Sequence, residues 1–461
     1  MQRTQRSILL FWIPLAATWL MMAAEGPFLA AIIARLPEPT FNLAAFGVSF
    51  AFAILVESPV IMLMSAATAL ATGWMAYLRL RNFAWVLNAF ATALLLVLLV
   101  PGVHALVMEG VVGLPHEVAE LTYGSLWVLL PWPAAIGYRR FIQGVLIRSG
   151  RTRLVAYGTV LRLLAMAATA VILYAGAGWP GAWVGAAALS AGVVAEAVAA
   201  RLMAIPVIRR MREEGEARGG APRPDAGVDA TAWEAGSGIP DPGDLLPYRE
   251  IFRFYYPLAL TSLIGLTVQP MLTFFMGRAP SPLESLAVFP VVHALSFIFR
   301  SLGLSFQEAA IALLGERNEH APEVWRFALV LGLASSAALG VVAFTPLAGF
   351  WFVQLSGLPP ELARFAIWPA RILVPLPALS VFLSYQRAVL VQSRTTRPIT
   401  VATAVEVATI ALLFVLGGWL VGMVGVTAAF LAFLGGRTGA NLYLVAKVRR
   451  ALERTRGPAA A

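Results

Sequence analysis

Twelve ionisable side chains fall inside long apolar stretches of this sequence: Glu25, Glu57, Arg139, Arg140, Arg162, Glu196, His293, Arg300, Glu308, Arg371, Arg387 and Glu406. A charge held at the centre of a bilayer costs on the order of 3 kcal/mol on insertion scales, so such a residue faces a cavity, a partner or a pathway. Arg139, Arg140 and Arg162 fall at one depth, with Tyr138 and Gln143 beside them. Guanidinium groups are planar forks of donors that match carboxylates and phosphates, so three together make an anion-receiving surface. His293, Arg300 and Gln307 recur at i, i+7 and i+14, which sets one polar stripe on a helix. Arg371 is a further buried cation, while Arg387 and Glu308 lie near helix ends, where long side chains reach the headgroups. The glutamates Glu25, Glu57, Glu196 and Glu406 are the candidate coupling or gating groups. The four histidines are scattered and do not read as a metal site. Cysteine is absent, and Lys447 is the sole lysine, so neither a thiolate site nor a Walker loop exists. No triad or paired-carboxylate hydrolase pattern is present; the expectation is a non-enzyme without cofactor.

The elements that carry these residues follow from composition. The chain has 461 residues, 59% hydrophobic and only 13% charged, with mean hydropathy +0.79. A soluble domain is nearer a quarter charged, so a soluble enzyme, a disordered chain and a disulfide scaffold are excluded. Apolar runs of membrane-spanning length recur throughout, which predicts an all-α polytopic membrane protein. The spans read as 8–33, 43–70, 83–107, 121–147, 154–176, 181–206, 251–277, 284–313, 325–349, 363–392, 399–418 and 420–446. Residues 207–250 are polar and rich in Gly and Pro and read as a flexible linker; 447–461 read as a tail. The net charge of +10 reflects arginine-rich loops rather than a nucleic-acid partner. Arg3, Arg6, Arg79, Arg81, Arg148, Arg151, Arg153, Arg317, Arg394 and Arg397 all fall on one side, with the termini and linker. The positive-inside rule makes that side cytoplasmic, in a multi-pass protein of the cell membrane.

The chain is an internal repeat. Residues 14–70 align without gaps on 257–313 at an offset of 243, with identities that include Pro14/Pro257, Thr18/Thr261, Pro27/Pro270, Arg35/Arg278 and Pro39/Pro282. LLPWPA at 129–134 answers LVPLPA at 373–378. Six helices per copy make the repeats parallel, so two six-helix lobes, 1–206 and 251–446, are expected about an axis along the membrane normal. Glu57 then matches Arg300, and Arg162 matches Glu406. If these positions face the axis, opposite charges meet across the cleft; the alternative is pairing within each lobe, such as Arg162 with Glu196. The prolines inside the spans remove helix hydrogen bonds and bend helices around a cleft.

Such a 6+6 plan is that of secondary transporters. The loop ATGWMAYLRLRN after the second span lacks a major-facilitator signature. The prolines early in spans one and seven and the long linker resemble the MATE-like, or MOP flippase, superfamily. YYPLAL at 255–260, Pro270, Arg278, Glu284-Ser-Leu-Ala-Val288 and Pro369-Ala-Arg371-Ile372 are similar to the progressive ankylosis protein family. That resemblance implies export of small polyanions such as pyrophosphate, nucleotides or citrate by alternating access, from a monomer in the lipid bilayer. All four Asp (Asp225, Asp229, Asp241, Asp244) lie in the linker, so the aspartate that many multidrug members carry in the first helix is missing, with Glu25 nearest to it. Two alternatives stay open: a multidrug exporter coupled to protons or Na+ through Glu25 or Glu57, and a flippase for an anionic lipid-linked sugar.

Overall fold

The computed structural model describes residues 4–176, 178–218, 247–315, 318–393, 395 and 397–456. With no water in a bilayer core, backbone groups must be satisfied within the segment, and every described element is helical. Twelve spans follow one another in two lobes. The first lobe holds Gln5–Ala23 with Glu25–Ala34, Pro39–Glu57 with Leu63–Leu70, Trp74–Leu98, His116–Val128 with Trp132–Arg148, Thr152–Gly176 and Gly181–Arg218. The second holds Tyr248–Leu266 with Val268–Gly277, Pro282–Leu313, Ala321–Phe344, Pro360–Ile372 with Leu376–Gln392, Arg397–Phe414 and Gly425–Arg456. Among the described residues, nine helices are long and apolar enough to cross a membrane alone, and the tenth span joins them as a pair bent by 41°. The other two are the fourth span, broken near Pro131, and the twelfth, which carries Arg437 and a charged end.

Two breaks recur at matched positions, and proline explains them; the second span also breaks, beside Pro59, whereas the matching eighth span carries Leu302 there and runs unbroken. The first and seventh spans break at Ala24 and Thr267, three residues before Pro27 and Pro270. Neither proline can donate to the carbonyl four residues back, which ends the preceding helix. The fourth and tenth spans break next to Pro131 and Pro375 for the same reason.

The two lobes are laced together at the end that carries the termini. Ile8, Trp12 and Ala16 of the first span are buried in a cluster formed otherwise by second-lobe residues, and Trp12 Nε1 donates to Ser305 Oγ at 2.9 Å. Their repeat mates behave likewise: Ile251 and Tyr255 are buried in the other cluster, where Tyr255 stacks edge-on against Phe83 and donates to the Pro59 carbonyl. The termini-side halves of spans one and seven therefore each dock on the opposite lobe. Between them the second and eighth spans pack so closely that a Cβ at Gly47 would meet Pro290 at 3.3 Å.

Two boundaries differ from the sequence reading. The sixth helix runs on to Arg218, through the first dozen positions expected to be linker, because Arg209–Glu213 and Arg212–Glu216 pair at i,i+4 at 2.8 and 2.6 Å. The twelfth helix likewise continues through the expected tail to Arg456, with Arg449–Glu453 at 2.9 Å. Residues 219–246, and with them most of the linker, lie outside the described residues, as do Arg3, Arg317 and Arg394.

Candidate functional site

The first lobe gathers most of its buried charges into one network. Arg139, from the fourth span, forms an ion pair with fully buried Glu196 of the sixth. Gln143, one turn on, donates to Glu196 Oε1 at 3.0 Å, and Thr159 approaches the same oxygen at 3.5 Å. Arg162 of the fifth span pairs with Glu25 of the first and lies 3.5 Å from Glu196 Oε2. Glu57 accepts a hydrogen bond from Trp132 Nε1 and feels the charges of Arg140, Arg139 and Arg162. Arg140 itself points to Met64, with Nη1 3.9 Å from the sulfur. Three carboxylates, Glu25, Glu57 and Glu196, thus balance three guanidiniums, and two of the three arginines expected to receive an anion already hold a carboxylate.

The second lobe is not balanced. Glu406 of the eleventh span pairs with Arg437 of the twelfth at 2.9 Å. Buried Arg300 has no carboxylate within ion-pair distance among the described residues. Its Nη1 lies 3.4 Å from His293 Nε2, and its guanidinium sits 4.8 Å above the Phe433 ring and 6.0 Å from that of Phe297. Gln269 Nε2 lies 3.3 Å from the same His293 nitrogen. Both neighbours are donors, so that nitrogen accepts and the imidazole proton belongs on Nδ1. Arg387, half-buried, donates to Thr403 Oγ1 at 3.4 Å, and its Nε has no partner. Arg437 and Glu406 act electrostatically on both Arg300 and Arg387. Glu406 pairs with Arg437 alone, and neither Arg300 nor Arg387 has a carboxylate within ion-pair distance among the described residues.

Several sequence expectations change at this point. Glu57 and Arg300 do not pair, nor do Arg162 and Glu406: each finds its partner in its own lobe, because the helix rotations turn matched residues toward neighbouring spans and not toward the axis. Arg387 does not reach for headgroups but faces the eleventh span. Arg371 stands apart from the cluster, donating to the Ala343 carbonyl at 3.2 Å over Phe344. Gln307 is half-buried on the Arg300 helix. Sequence reasoning passed over Arg437; a lone arginine mid-way along an apolar helix, in GGRTG, was the available signal.

The sequence matches no family model and no curated protein. Its three-dimensional relatives are clear. A multidrug resistance MATE family transporter of the MOP superfamily, in an inward-facing conformation, superposes with a TM-score of 0.71 at 14% identity, covering 99% of this chain and 100% of that one. The fold is that of the MATE transporters. The lipid II flippase MurJ, inward closed, follows at 0.68 and 12% identity over 97% of this chain and 90% of its own. A MOP superfamily transporter from Pyrococcus furiosus, described as having a binding pocket of reverse polarity that suggests a different function, gives 0.62 and 16% identity over 98% and 96%. The apolar helices are those of a multi-pass membrane protein, and the MATE-like fold accounts for their arrangement as two six-helix lobes. These similarities do not single out the progressive ankylosis family.

Proposed function

We propose that this MATE-like chain is a secondary transporter that moves small anions, bound at the arginine cluster of its second lobe. The carrying observation is the charge imbalance there: Arg300, Arg387 and Arg437 around the single Glu406. A buried charge without a partner costs several kcal/mol in a low-dielectric interior. An anion that bridges Arg300 and Arg387 relieves that cost, whereas a cationic drug would add to it. The fitting class is a small polyanion with oxygens on two sides, such as pyrophosphate, a nucleotide or a carboxylate like citrate. His293 and Gln269 hold Arg300 from behind, and Phe433 supplies a face for its delocalised charge. The MOP superfamily transporter whose binding pocket has reverse polarity, suggesting a different function, is a precedent for this fold carrying more than one function.

In this reading the first lobe supplies coupling. Its Glu25, Glu57 and Glu196 are held by arginines and Trp132, where taking up a proton or Na+ would loosen the pairs that tie five spans together. Residues 1–206 and 251–446 act as the two moving lobes of one monomer, with both termini and the linker in the cytoplasm. One observation favours a second reading: the likeness to the lipid II flippase over nearly the whole chain. There the same arginines would hold a lipid-linked pyrophosphate head.

The test is uptake by proteoliposomes of labelled citrate, pyrophosphate and ATP, against tetraphenylphosphonium as the cationic probe. Uptake of at least one anion, reduced roughly tenfold or more in Arg300→Gln, is expected from the loss of a charge-assisted contact. Transport of the cation alone, or anion uptake indifferent to Arg300→Gln, would overturn the proposal.

A further inference from the structure

Arg35 and Arg278 occupy matching repeat positions and make the same contact in opposite directions. Each follows directly on the last residue of its helix, Ala34 and Gly277. Arg35 Nη2 crosses to the second lobe and donates to the carbonyls of Gln354 at 2.6 Å and Leu355 at 3.0 Å. Arg278 crosses to the first lobe, where Nε donates to the Val111 carbonyl at 2.7 Å and Nη2 to that of Gly110. The acceptors are themselves repeat mates. They lie in the last turn of two π-helical elements, Leu106–Val112 and Phe350–Leu355, that extend the third and ninth spans.

The physical reason for the contact lies in those turns. The last carbonyls of a helix have no donor within the helix and carry the negative end of its dipole, so a guanidinium is a natural partner. Both turns end on a glycine in the left-handed region, Gly113 at φ +83° and Gly357 at φ +71°, which stops the helix and leaves its carbonyls facing the other lobe. The approach is close. A Cβ on Gly357 would fall 2.9 Å from Arg35 Nη1, and one on Gly113 would fall 3.3 Å from the Gly277 carbonyl.

We propose that Arg35 and Arg278 are twin latches that lock the two lobes together at the end of the molecule opposite the termini. Opening at that end requires four arginine-to-carbonyl bonds to break, and nothing in the latch depends on the substrate. Docking of Trp12 and Tyr255 on the opposite lobes fastens the other end. Alternating access is then an exchange between two sets of twofold-related fasteners.

The natural chain has no cysteine, so spin labels go where cysteines are placed. His116→Cys and Glu361→Cys put exposed labels on the first turns of the fourth and tenth spans, one in each lobe at the latched end. Double electron–electron resonance in nanodiscs reads their separation in the otherwise natural chain, in Arg35→Gln, in Arg278→Gln and in the double variant. The double variant should raise the long-distance population by roughly tenfold, the equivalent of about 1.4 kcal/mol. Each single variant should give part of that rise, and Trp12→Phe, which loosens the other end, should give none. Unchanged distance distributions in both singles and the double overturn the latch, and so does an equal lengthening by Trp12→Phe. If the double variant does not fold, the two singles decide the matter on the same criterion.

Discussion

Glu57 and Arg300 sit at matching positions of the two lobes, 243 residues apart, yet Glu57 accepts a hydrogen bond from Trp132 while Arg300 rests on His293 and the Phe433 ring. Opposite charge at repeat-related positions does not here mean a pair. The exchange Glu57→Arg with Arg300→Glu therefore should not recover what Arg300→Gln loses. Proteoliposome uptake of the three proteins checks this: the exchange is expected to be at least as impaired as the single variant, and recovery would point to a cross-lobe pair in another state.

Glu196 is the keystone of the first-lobe network, since it alone touches Arg139, Arg162, Gln143 and Thr159. Glu196→Ala leaves buried guanidiniums without their carboxylate and should cost about 3–5 kcal/mol. Combining it with Arg139→Met should be less damaging than the single change, because removing both members of a buried pair spares the stranded charge. Unfolding midpoints in detergent for the two singles and the double give the comparison.

Trp132→Phe keeps an aromatic ring, though a smaller one, and removes the donor to Glu57. An unsatisfied buried acceptor costs about 1–3 kcal/mol, and adding Glu57→Gln should return part of that loss. Thermal unfolding of the single and double variants measures it.

At the latched end, exposed His116 hydrogen-bonds Glu109 at 2.8 Å, and that carboxylate raises the imidazole pKa above its usual 6.5. A raised folded-state pKa means the pairing contributes below pH 6.5 and fades as pH climbs through the higher folded value. The imidazole resonances should titrate above 6.5 in the natural protein and fall back toward it in Glu109→Gln.

Much of the architecture was legible because it rests on composition and proline chemistry. Apolar runs fixed the twelve spans, and Pro27/Pro270 and Pro131/Pro375 marked breaks that recur in both lobes. The partners of the buried charges were not legible, because pairing depends on helix rotation, and one residue along a helix turns a side chain by about 100°. Arg139 and Arg140 show this: the first meets Glu196, the second Met64. The extension of the sixth helix was hidden by the Gly- and Pro-rich sequence after it, although Arg209/Glu213 and Arg212/Glu216 already carried helical spacing. Arg35 and Arg278 were visible as an identity of the repeat, but their acceptors are backbone carbonyls, which no side-chain pattern reveals.

The most direct measurement of the central claim is equilibrium binding. Isothermal titration of purified protein with citrate and with pyrophosphate compares the natural chain with Arg300→Gln/Arg387→Gln and with Arg371→Gln as a cation outside the cluster. The account predicts saturable binding of at least one anion, weakened roughly tenfold or more by the double change, in line with the loss of charge-assisted bonds, and little altered by Arg371→Gln. Equal affinity in the natural and double-variant proteins, or no anion binding in either, would contradict it.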